Sequence, residues 1–216
     1  MSKIAWVAGA SGLIGQHLIH ELALDDDYKR VIALVRTPLD LPAFNNPKVE
    51  QYRVDFAKLA APSDQVDSVF CALGSTTRKT PNPEDYYRVD VSYPLAVAEL
   101  GKQRGANFYG LVSAHGANAR SFSSYLKMKG TLETELTALD FSRLAIARPS
   151  LLKGERAEFR LLEKMSEHVM SLLPGNYRAI EAKRVALALI QADKKLHAGK
   201  RILNSKEMQQ PETIQF

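Results

Sequence analysis

The sequence predicts an α/β fold in which a doubly wound parallel sheet carries helices on both faces. Short apolar runs alternate with longer amphipathic stretches between residues 4 and 148. Continuous apolar runs suit strands that are buried on both faces of a sheet. Strands that alternate with helices imply right-handed crossovers, which make the strands parallel. A length of 216 residues fits one such domain.

The strands are predicted from the apolar runs, and the helices from the spacing of apolar residues between them. The predicted strands are Ile4–Ala8, Val31–Val35, Val49–Val54, Val69–Leu73, Phe108–Val112 and Leu144–Ala147. A first helix is predicted where apolar residues recur every four positions, at Ile14, Leu18 and Leu22. Another is predicted after the fifth strand, where apolar residues recur at intervals of three and four, at Tyr125, Met128, Leu132, Leu136 and Leu139. These spacings place each set on one helix face.

The chain after Pro149 is too short to form a second full domain. It is expected to be mostly helical, around Phe159–Leu173 and Val185–Ala192, with a late strand at Arg201–Leu203. We therefore predict a single domain over residues 1–216. Residues 1–149 would form its core, and residues 150–216 would form the last strand and a small C-terminal cap over the substrate side of the sheet.

Composition and charge exclude several classes of protein. The formal net charge is +5, but Lys and Arg are scattered, and neither a basic block nor an aromatic-plus-basic RNA motif occurs. No apolar run approaches the roughly 20 residues of a membrane helix. The first run, Ile4–Ala8, is also too short for a signal peptide. We therefore expect neither a nucleic-acid partner nor a membrane partner.

Cysteine and histidine usage points to a reducing compartment and away from metal. A single cysteine, Cys71, excludes an internal disulfide framework and any site with several cysteine ligands. A cytoplasmic location is therefore expected. His17 and His20 lie three positions apart on the first predicted helix, but no Cys or acid accompanies them at ligand spacing. We predict no metal site.

The turn after the first strand carries glycine at Gly9, Gly12 and Gly15. Gly9 would allow the tight turn out of the strand, Gly12 would let the backbone approach a diphosphate, and Gly15 would let the next helix pack closely on the sheet. The diphosphate would sit at the helix N-terminus, where free N–H groups and the helix dipole favour an anion. Because these glycines follow a strand and open a helix, we predict a dinucleotide site rather than an ordinary strand-turn-helix corner.

The residue after the second strand, Arg36, predicts which dinucleotide binds. It lies 21 positions after Gly15, close to where an NAD site places an acid for the ribose hydroxyls. A guanidinium there suits the 2′-phosphate of NADP, because it can donate two parallel hydrogen bonds. Asp40 lies too far along the loop to replace the ribose acid. The predicted cofactor is therefore NADP(H). The alternative is that Arg36 is an ordinary surface arginine with no role in binding.

The third and fourth strands end on residues that would complete this site. Asp55 could accept a hydrogen bond from the adenine amino group, or it could cap the helix that follows. Gly74 would let the loop after the fourth strand lie against the cofactor. Cys71 is expected to be a small buried side chain rather than a reactive thiol.

Tyr125 and Lys129 form a Tyr-x-x-x-Lys pair on the helix after the fifth strand, and Ser113 lies at the end of that strand. A spacing of four residues puts Tyr125 and Lys129 on one helix face. Tyr125 would transfer the proton when a carbonyl is reduced, Lys129 would favour phenolate and bind the nicotinamide ribose, and Ser113 would hold the substrate oxygen. In the structural alternative, Tyr125 faces the core, Lys129 is solvated and Ser113 simply ends the strand.

The chain resembles the atypical short-chain dehydrogenase/reductases, and among them the HIV Tat-interacting-protein-like group. The resemblance covers nearly the whole chain and rests on Gly9–Gly15, Leu34–Arg36, Cys71–Arg78, Leu111–Ala117, Tyr125–Lys129 and Arg148–Pro149. It implies a Rossmann fold, NADP(H) binding and the catalytic trio Ser113, Tyr125 and Lys129. It also implies that the segment after Pro149 passes over the nicotinamide, where Ser150 and Leu151 could contact it.

The motifs and the resemblance together give a set of predicted site residues. The predicted cofactor contacts are Gly9, Ser11, Gly12, Leu13, Ile14, Gly15, Arg36, Asp55, Phe56, Leu73, Gly74, Tyr125, Lys129, Pro149 and Leu151. Standard members of the family also carry an Asn on the helix after the fourth strand, which completes a proton relay. Here Asp90 is the polar residue nearest to that position.

The leading functional hypothesis is an NADP(H)-dependent oxidoreductase that transfers a hydride between the nicotinamide and a small carbonyl or alcohol substrate. The alternative is a non-catalytic, NADP(H)-sensing regulatory binding protein, because several relatives are better known as regulatory binders. An epimerase or dehydratase acting on a sugar nucleotide is disfavoured, since the short cap offers few walls for so large a substrate. A homodimer through exposed helix faces is a further expectation.

Overall fold

A computed structural model describes residues 2–60, 62, 65–76, 78–153 and 179–216. The strands of its main sheet are β1 (Lys3–Ala8), β2 (Tyr28–Val35), β3 (Val49–Arg53), β4 (Ser68–Cys71), β5 (Phe108–Val112), β6 (Arg143–Arg148) and β9 (Gly199–Asn204). Within the described residues these seven strands are parallel and lie in the order β3-β2-β1-β4-β5-β6-β9. Each predicted strand is present, and the late strand joins the sheet beside β6. The predicted α/β fold with a doubly wound parallel sheet is confirmed.

The described helices are α1 (Leu13–Leu24), α2 (Pro83–Tyr87), α3 (Tyr93–Gln103), α4 (Ser124–Ala138) and α5 (Ala182–Lys195). A π-helical turn, Arg88–Ser92, joins α2 to α3. Two short strands, β7 (Leu152–Lys153) and β8 (Ile180–Glu181), pair with each other outside the main sheet. The helix predicted around Phe159–Leu173 lies outside the described residues. Among the helices that are described, none has the length and apolar character needed to cross a membrane.

Helices cover both faces of the sheet, as predicted. On one face α1 and α5 pack together over a core that includes Leu18 and Val185, here called the α1-side core. On the other face α3 and α4 cover a second core that includes Leu132, here called the α4-side core. Because successive side chains of a strand point to opposite faces, each strand serves both cores. In β1, for example, Val7 lies in the α1-side core and Trp6 in the α4-side core.

The C-terminal part of the chain contributes to this layering. Helix α5 packs beside α1, and β9 extends the sheet at the edge beyond β6. Part of residues 150–216 therefore belongs to the helical layer and to the sheet. The predicted division into a core over residues 1–149 and a small cap over residues 150–216 stays a prediction, because residues 154–178 lie outside the described part.

The strand order places a crevice at the carboxyl edge of the sheet. Strand β1 has β2 on one side and β4 on the other. The chain leaves β1 toward the α1 face, and it leaves β4 toward the opposite face, where α3 lies. Neighbouring strands whose connections leave toward opposite faces open a ligand crevice at their carboxyl ends. The crevice between β1 and β4 therefore locates the candidate site.

A buried carboxylate holds the opposite, amino edge of the sheet together. Asp193 of α5 accepts hydrogen bonds from the hydroxyls of Tyr28 at 2.6 Å and Ser68 at 2.8 Å. Lys3 at 3.0 Å and Arg143 at 3.1 Å balance its charge. Burial first, and then the Asp193 charge, raise the pKa of Tyr28 above its ordinary value. Since these four partners begin β2, β4, β1 and β6, Asp193 fixes α5 to the starts of four strands.

Candidate active site at the carboxyl edge of the sheet

Two glycines of the predicted loop are required by close backbone contacts. Gly9 has a φ of +82°, which is in the left-handed region, and a Cβ there would lie 2.5 Å from the carbonyl of Ala72, just after β4. At Gly15 a Cβ would lie 2.1 Å from the carbonyl oxygen of Gly9. The predicted tight turn at Gly9 and the close helix packing at Gly15 are therefore confirmed. The first contact also joins the glycine loop to the loop after β4.

The N-terminus of α1 fits an anion. Gly12 is its N-cap and offers no side-chain acceptor, and the first turn, all of it described, contains no acidic residue. The backbone N–H groups of Leu13, Ile14 and Gly15 therefore have no acceptor within the helix. Gly12 is exposed, so a ligand can approach its backbone closely. Free N–H groups, a glycine surface and the positive end of the helix dipole are what the diphosphate of a dinucleotide requires.

The ends of β2 and β3 carry the predicted adenosine contacts. Arg36 directly follows β2; it is exposed and forms no ion pair with any described residue. Asp55 caps the short turn after β3, because its carboxylate accepts from the backbone N–H of Ala57 at 2.9 Å. Of the two roles left open for Asp55, capping is thus present. The ring of Phe56 is buried and stacks on Tyr93 of α3 at 5.7 Å, so packing in the α4-side core occupies it.

A buried ion pair joins α4 to the π-helical turn. Nζ of Lys129 lies 2.9 Å from Oδ1 of Asp90, and the two side chains are 2% and 0% exposed. The other carboxylate oxygen of Asp90 accepts from the backbone N–H of Ser75 at 2.7 Å, in the loop after β4. The structural alternative of a solvated Lys129 is therefore wrong. Asp90, which stands nearest to the sequence position of the family's relay asparagine, thus contacts the predicted catalytic lysine directly.

The predicted catalytic serine is held by a second buried acid. Ser113 lies one residue past β5, and its Oγ donates to Oε1 of Glu133 at 2.5 Å. Arg148, at the end of β6, donates to both oxygens of the same carboxylate. Because a carboxylate can only accept, the proton of Ser113 points at Glu133 and only its lone pairs are left for a ligand. Ser113 is thus more than a strand terminator.

Three residues of α4 form one row that connects these contacts. Tyr125, Lys129 and Glu133 are spaced by four residues, so they lie on one helix face, with a rise of about 6 Å between successive members. Ser113 contacts the Glu133 end of this α4 row, and Asp90 contacts its middle. Tyr125 is half-buried, and its hydroxyl makes no hydrogen bond within the described part of the chain. The row therefore combines two engaged groups with one unengaged phenol.

Comparison with known proteins places this site in a family. A family model described as NAD(P)H-binding matches residues 9–193, which include the glycine loop and the whole α4 row. The chain belongs to this NAD(P)H-binding family. The protein HTATIP2 of Rattus norvegicus is 36% identical over 181 residues, which cover 82% of this chain and 74% of that protein. The protein FMP52, mitochondrial, of Eremothecium gossypii is 36% identical over 152 residues, which cover 70% and 67%.

The predicted resemblance to atypical short-chain dehydrogenase/reductases of the Tat-interacting-protein-like group is thereby confirmed. A solved structure, "MoeE5 in complex with UDP-glucose and NAD", has a TM-score of 0.69 and 20% sequence identity, and the match covers 93% of this chain and 75% of that chain. At that identity the likeness shows the fold alone. It agrees with the sheet order and with helices on both faces.

The remaining predicted residues of this NAD(P)H-binding chain lie at the same edge of the sheet. Leu73 and Gly74 are half-buried in the loop after β4, which Asp90 binds. The carbonyl of Pro149 accepts from the N–H of His115 at 2.8 Å, and that of Leu151 accepts from the N–H of Ile180 at 2.8 Å. These bonds fix the start of the segment that the resemblance places over the nicotinamide.

Two further expectations concern cysteine and metal. Cys71 is fully buried, and burial raises the pKa of its thiol, so the predicted small buried side chain is confirmed. Within the described ranges no cluster of three or more His, Cys, Asp or Glu residues could hold a metal ion. The absence of a metal site stays a prediction for the chain as a whole.

Sequence reasoning missed Glu133 as a site residue and did not foresee the direct contact of Asp90 with Lys129. Glu133 follows Lys129 by four residues, which places it on the same helix face. That spacing is the signal that could have found it. Its partner Arg148 was named only within the resemblance over Arg148–Pro149, and its contact with Glu133 was not predicted.

Proposed function

We propose that this chain is an NADP(H)-dependent oxidoreductase of the short-chain dehydrogenase/reductase type. It would transfer a hydride between the nicotinamide and a small carbonyl or alcohol substrate. The observation that carries the proposal is the α4 row. The unengaged hydroxyl of Tyr125 lies one helical turn from the buried cation of Lys129. A phenol beside a fixed cation, at the ligand edge of an NAD(P)H-binding sheet, is suited to proton transfer.

Arg36 supports NADP rather than NAD. It stands at the end of β2, where an NAD site would present an acid to the ribose hydroxyls. Its guanidinium is exposed and has no carboxylate partner within the described residues. A planar guanidinium of this kind binds a phosphate through two donors.

The proton chemistry follows from the α4 row. A bound nicotinamide nucleotide supplies or takes up the hydride. In reduction, Tyr125 gives its hydroxyl proton to the substrate oxygen, and in oxidation the phenolate takes the proton from the alcohol. The charge of Lys129 stabilises the phenolate, while Asp90 fixes the position of the amine and offsets part of its charge.

The orientation of Ser113 suits an alcohol. Because the Ser113 hydroxyl donates its hydrogen bond to Glu133, its Oγ can accept a hydrogen bond from a substrate hydroxyl but cannot at the same time donate to a carbonyl oxygen. The described arrangement therefore favours the alcohol form of the substrate. Stabilising a carbonyl oxygen would require the Ser113 hydroxyl to turn away from Glu133.

The same contacts favour a second candidate function, a non-catalytic protein that senses NADP(H). Asp90 already offsets part of the charge of Lys129, and the Ser113 hydroxyl already donates its hydrogen bond to Glu133. Both partners that would assist the tyrosine are thus engaged within the protein. A chain of this kind could bind the nucleotide firmly and turn over slowly or not at all.

One variant separates the two functions. Tyr125→Phe removes the phenol and leaves the glycine loop and Arg36 intact. The oxidoreductase proposal predicts that turnover of NADPH with a panel of small aldehydes and ketones falls at least 100-fold, in line with the usual contribution of a general acid of about 10²–10⁴, while the Kd for NADPH changes less than about twofold. Tyr87→Phe, at an exposed tyrosine, is the matched control. If the wild-type chain binds NADPH but neither reduces any member of the panel nor oxidises any of the corresponding alcohols with NADP, the sensing function is favoured instead.

The substrate and partners belong to the same proposal. We propose a small molecule as substrate and expect no nucleic-acid or membrane partner. A homodimer is proposed as well, and light scattering on the purified chain tests it.

The proposed location is the cytoplasm. A single, buried thiol suits a reducing compartment. Because the FMP52 relative is named as mitochondrial, the mitochondrion is the alternative. Fractionation of the source cells followed by immunodetection distinguishes the two.

A further inference from the structure

The loop after β2 is fastened onto one face of the sheet. The side-chain oxygen of Gln51 accepts from the backbone N–H of Leu39 at 2.7 Å, and its amide nitrogen donates to the carbonyl of the same residue at 2.8 Å. This paired contact fixes the loop that begins with Arg36 against the face of β3 that carries the Gln51 side chain.

The strand register shows that Arg53 lies on that same face. Val31 of β2 pairs with Val49 of β3, and both pack against the α1-side core. Paired residues of these two strands therefore point to the same face. Arg53 pairs with Val35, which also lies in the α1-side core. Arg53 is thus two residues beyond Gln51 on the loop-bearing face, at the carboxyl end of β3.

Arg53 and Arg36 are two exposed guanidinium groups at adjacent strand ends. Arg36 follows Val35, the register partner of Arg53. Neither has a carboxylate partner among the residues described. By contrast, the guanidinium of Arg30, on strand β2, is paired with the carboxylate of Glu50 at 2.6 Å. Two exposed cations at neighbouring strand ends, neither with a carboxylate partner among the described residues, are available to bind one anionic group.

We propose that Arg53 is the second cation of the 2′-phosphate subsite and binds the phosphate monoester together with Arg36. A phosphate monoester carries up to two negative charges near neutral pH, so it suits two guanidinium groups better than one. The proposal rests on the proposed preference for NADP(H) and adds a specificity-determining residue to it. It predicts that Arg53 affects only nucleotides that carry the 2′-phosphate.

Calorimetric titration of the full chain tests this proposal, with NADPH, NADH and adenosine 2′,5′-bisphosphate as probes. Arg53→Gln is expected to raise the Kd for NADPH and for the bisphosphate about tenfold, the effect of losing one charge-assisted hydrogen bond. The Kd for NADH should stay within about twofold. Lys29→Gln is the matched control, because it removes an exposed cation from the opposite end of the neighbouring strand β2. Arg53→Lys should recover only part of the loss, since lysine lacks the planar fork.

The possible results distinguish the role of Arg53 from the preference for NADP(H) on which it rests. If Arg36→Gln weakens NADPH selectively while Arg53→Gln behaves like Lys29→Gln, NADP(H) specificity stands and the role of Arg53 is wrong. Equal losses for NADPH and NADH in Arg53→Gln would show a structural role and would also overturn it. If the wild-type chain binds NADH as tightly as NADPH, both proposals fail. A weaker dependence of the NADPH Kd on salt in Arg53→Gln is a further expected result.

Discussion

The amine of Lys129 lies 2.9 Å from the carboxylate of Asp90, with both side chains buried between α4 and the π-helical turn. A buried ion pair of this kind adds little net stability, but loss of one partner leaves the other charge without compensation. The pair therefore fixes where the lysine amine lies relative to Tyr125. It also makes the α4 row dependent on the turn after α2.

Asp90→Asn is expected to lower the free energy of unfolding by about 3–5 kcal/mol, because the Lys129 ammonium stays buried without a counter-charge. Urea unfolding followed by the fluorescence of Trp6, the only tryptophan of the chain, measures the loss. Asp85→Asn, which weakens an exposed pair with Arg88, should cost less than about 1 kcal/mol. The double variant Asp90→Asn/Lys129→Met should recover most of the loss; if it is no more stable than Asp90→Asn, the buried charge is not the cause.

Glu133→Gln tests the clamp between Ser113 and Arg148. The substitution removes the negative charge of the carboxylate, both oxygens of which accept hydrogen bonds from Arg148. We therefore expect the free energy of unfolding to fall by about 1–3 kcal/mol. Glu135→Gln, at an exposed position of the same helix, is the control and should be nearly neutral. Equal stability of the two variants would show that the clamp does not hold β5, β6 and α4 together.

The elements of the fold could be predicted because their signals are local. Each apolar run predicted one strand, as for β1, β4 and β5. The glycines of the first turn predicted only that turn and the helix that follows it. The contacts of Glu133 could not be predicted in the same way. They join three successive elements, β5, α4 and β6, but these side chains meet only through the way α4 packs against the carboxyl ends of the two strands. From sequence alone, a charged residue on a helix is expected to face solvent, and only the positions of the neighbouring strand ends show that it is buried.

Gly15→Ala and Gly12→Ala should separate packing from binding. A Cβ at Gly15 would lie 2.1 Å from the carbonyl oxygen of Gly9. We therefore expect Gly15→Ala to lower the free energy of unfolding by at least about 1–3 kcal/mol, the usual cost of overpacking. At Gly12 the nearest atom would be 3.2 Å away, so the fold should be much less affected, whereas the Kd for NADPH should rise because the backbone can no longer approach the diphosphate. Thermal unfolding and NADPH titration measure the two effects. Unchanged NADPH affinity in Gly12→Ala would contradict the placement of the diphosphate.

Alkaline pH should destabilise the protein through Tyr28. Its pKa is raised in the folded state by burial and by Asp193, so its stabilising contribution is complete below the ordinary tyrosine pKa of about 10 and is lost as the pH rises above it. One such group changes the free energy of unfolding by up to about 1.4 kcal/mol per pH unit. Tyr28→Phe should be less stable at pH 7, because Asp193 loses a hydrogen bond, but its stability should fall less steeply between pH 10 and about 11.5. Tyr87→Phe should parallel the wild type; a wild-type slope in Tyr28→Phe would contradict the assignment.

The network around Asp193 shows why some of the fold escapes sequence reasoning. Tyr28 and Ser68 begin strands and Asp193 lies in the last turn of α5, and their positions in the sequence give no sign that they meet. They come together only because parallel strands start at one edge of the sheet and α5 ends there. Burial of a charge then depends on partners from four strands at once.

We propose that the crevice between β1 and β4 binds NADPH so that the Tyr125 hydroxyl faces the nicotinamide. A crystal structure of the NADPH complex tests this most directly. We predict density for the diphosphate at the backbone N–H groups that begin α1, for the 2′-phosphate at Arg36, and for the nicotinamide beside Tyr125. Density for the nucleotide elsewhere would contradict the proposed binding site, and a Tyr125 side chain turned into the core away from the nicotinamide would contradict its role in proton transfer.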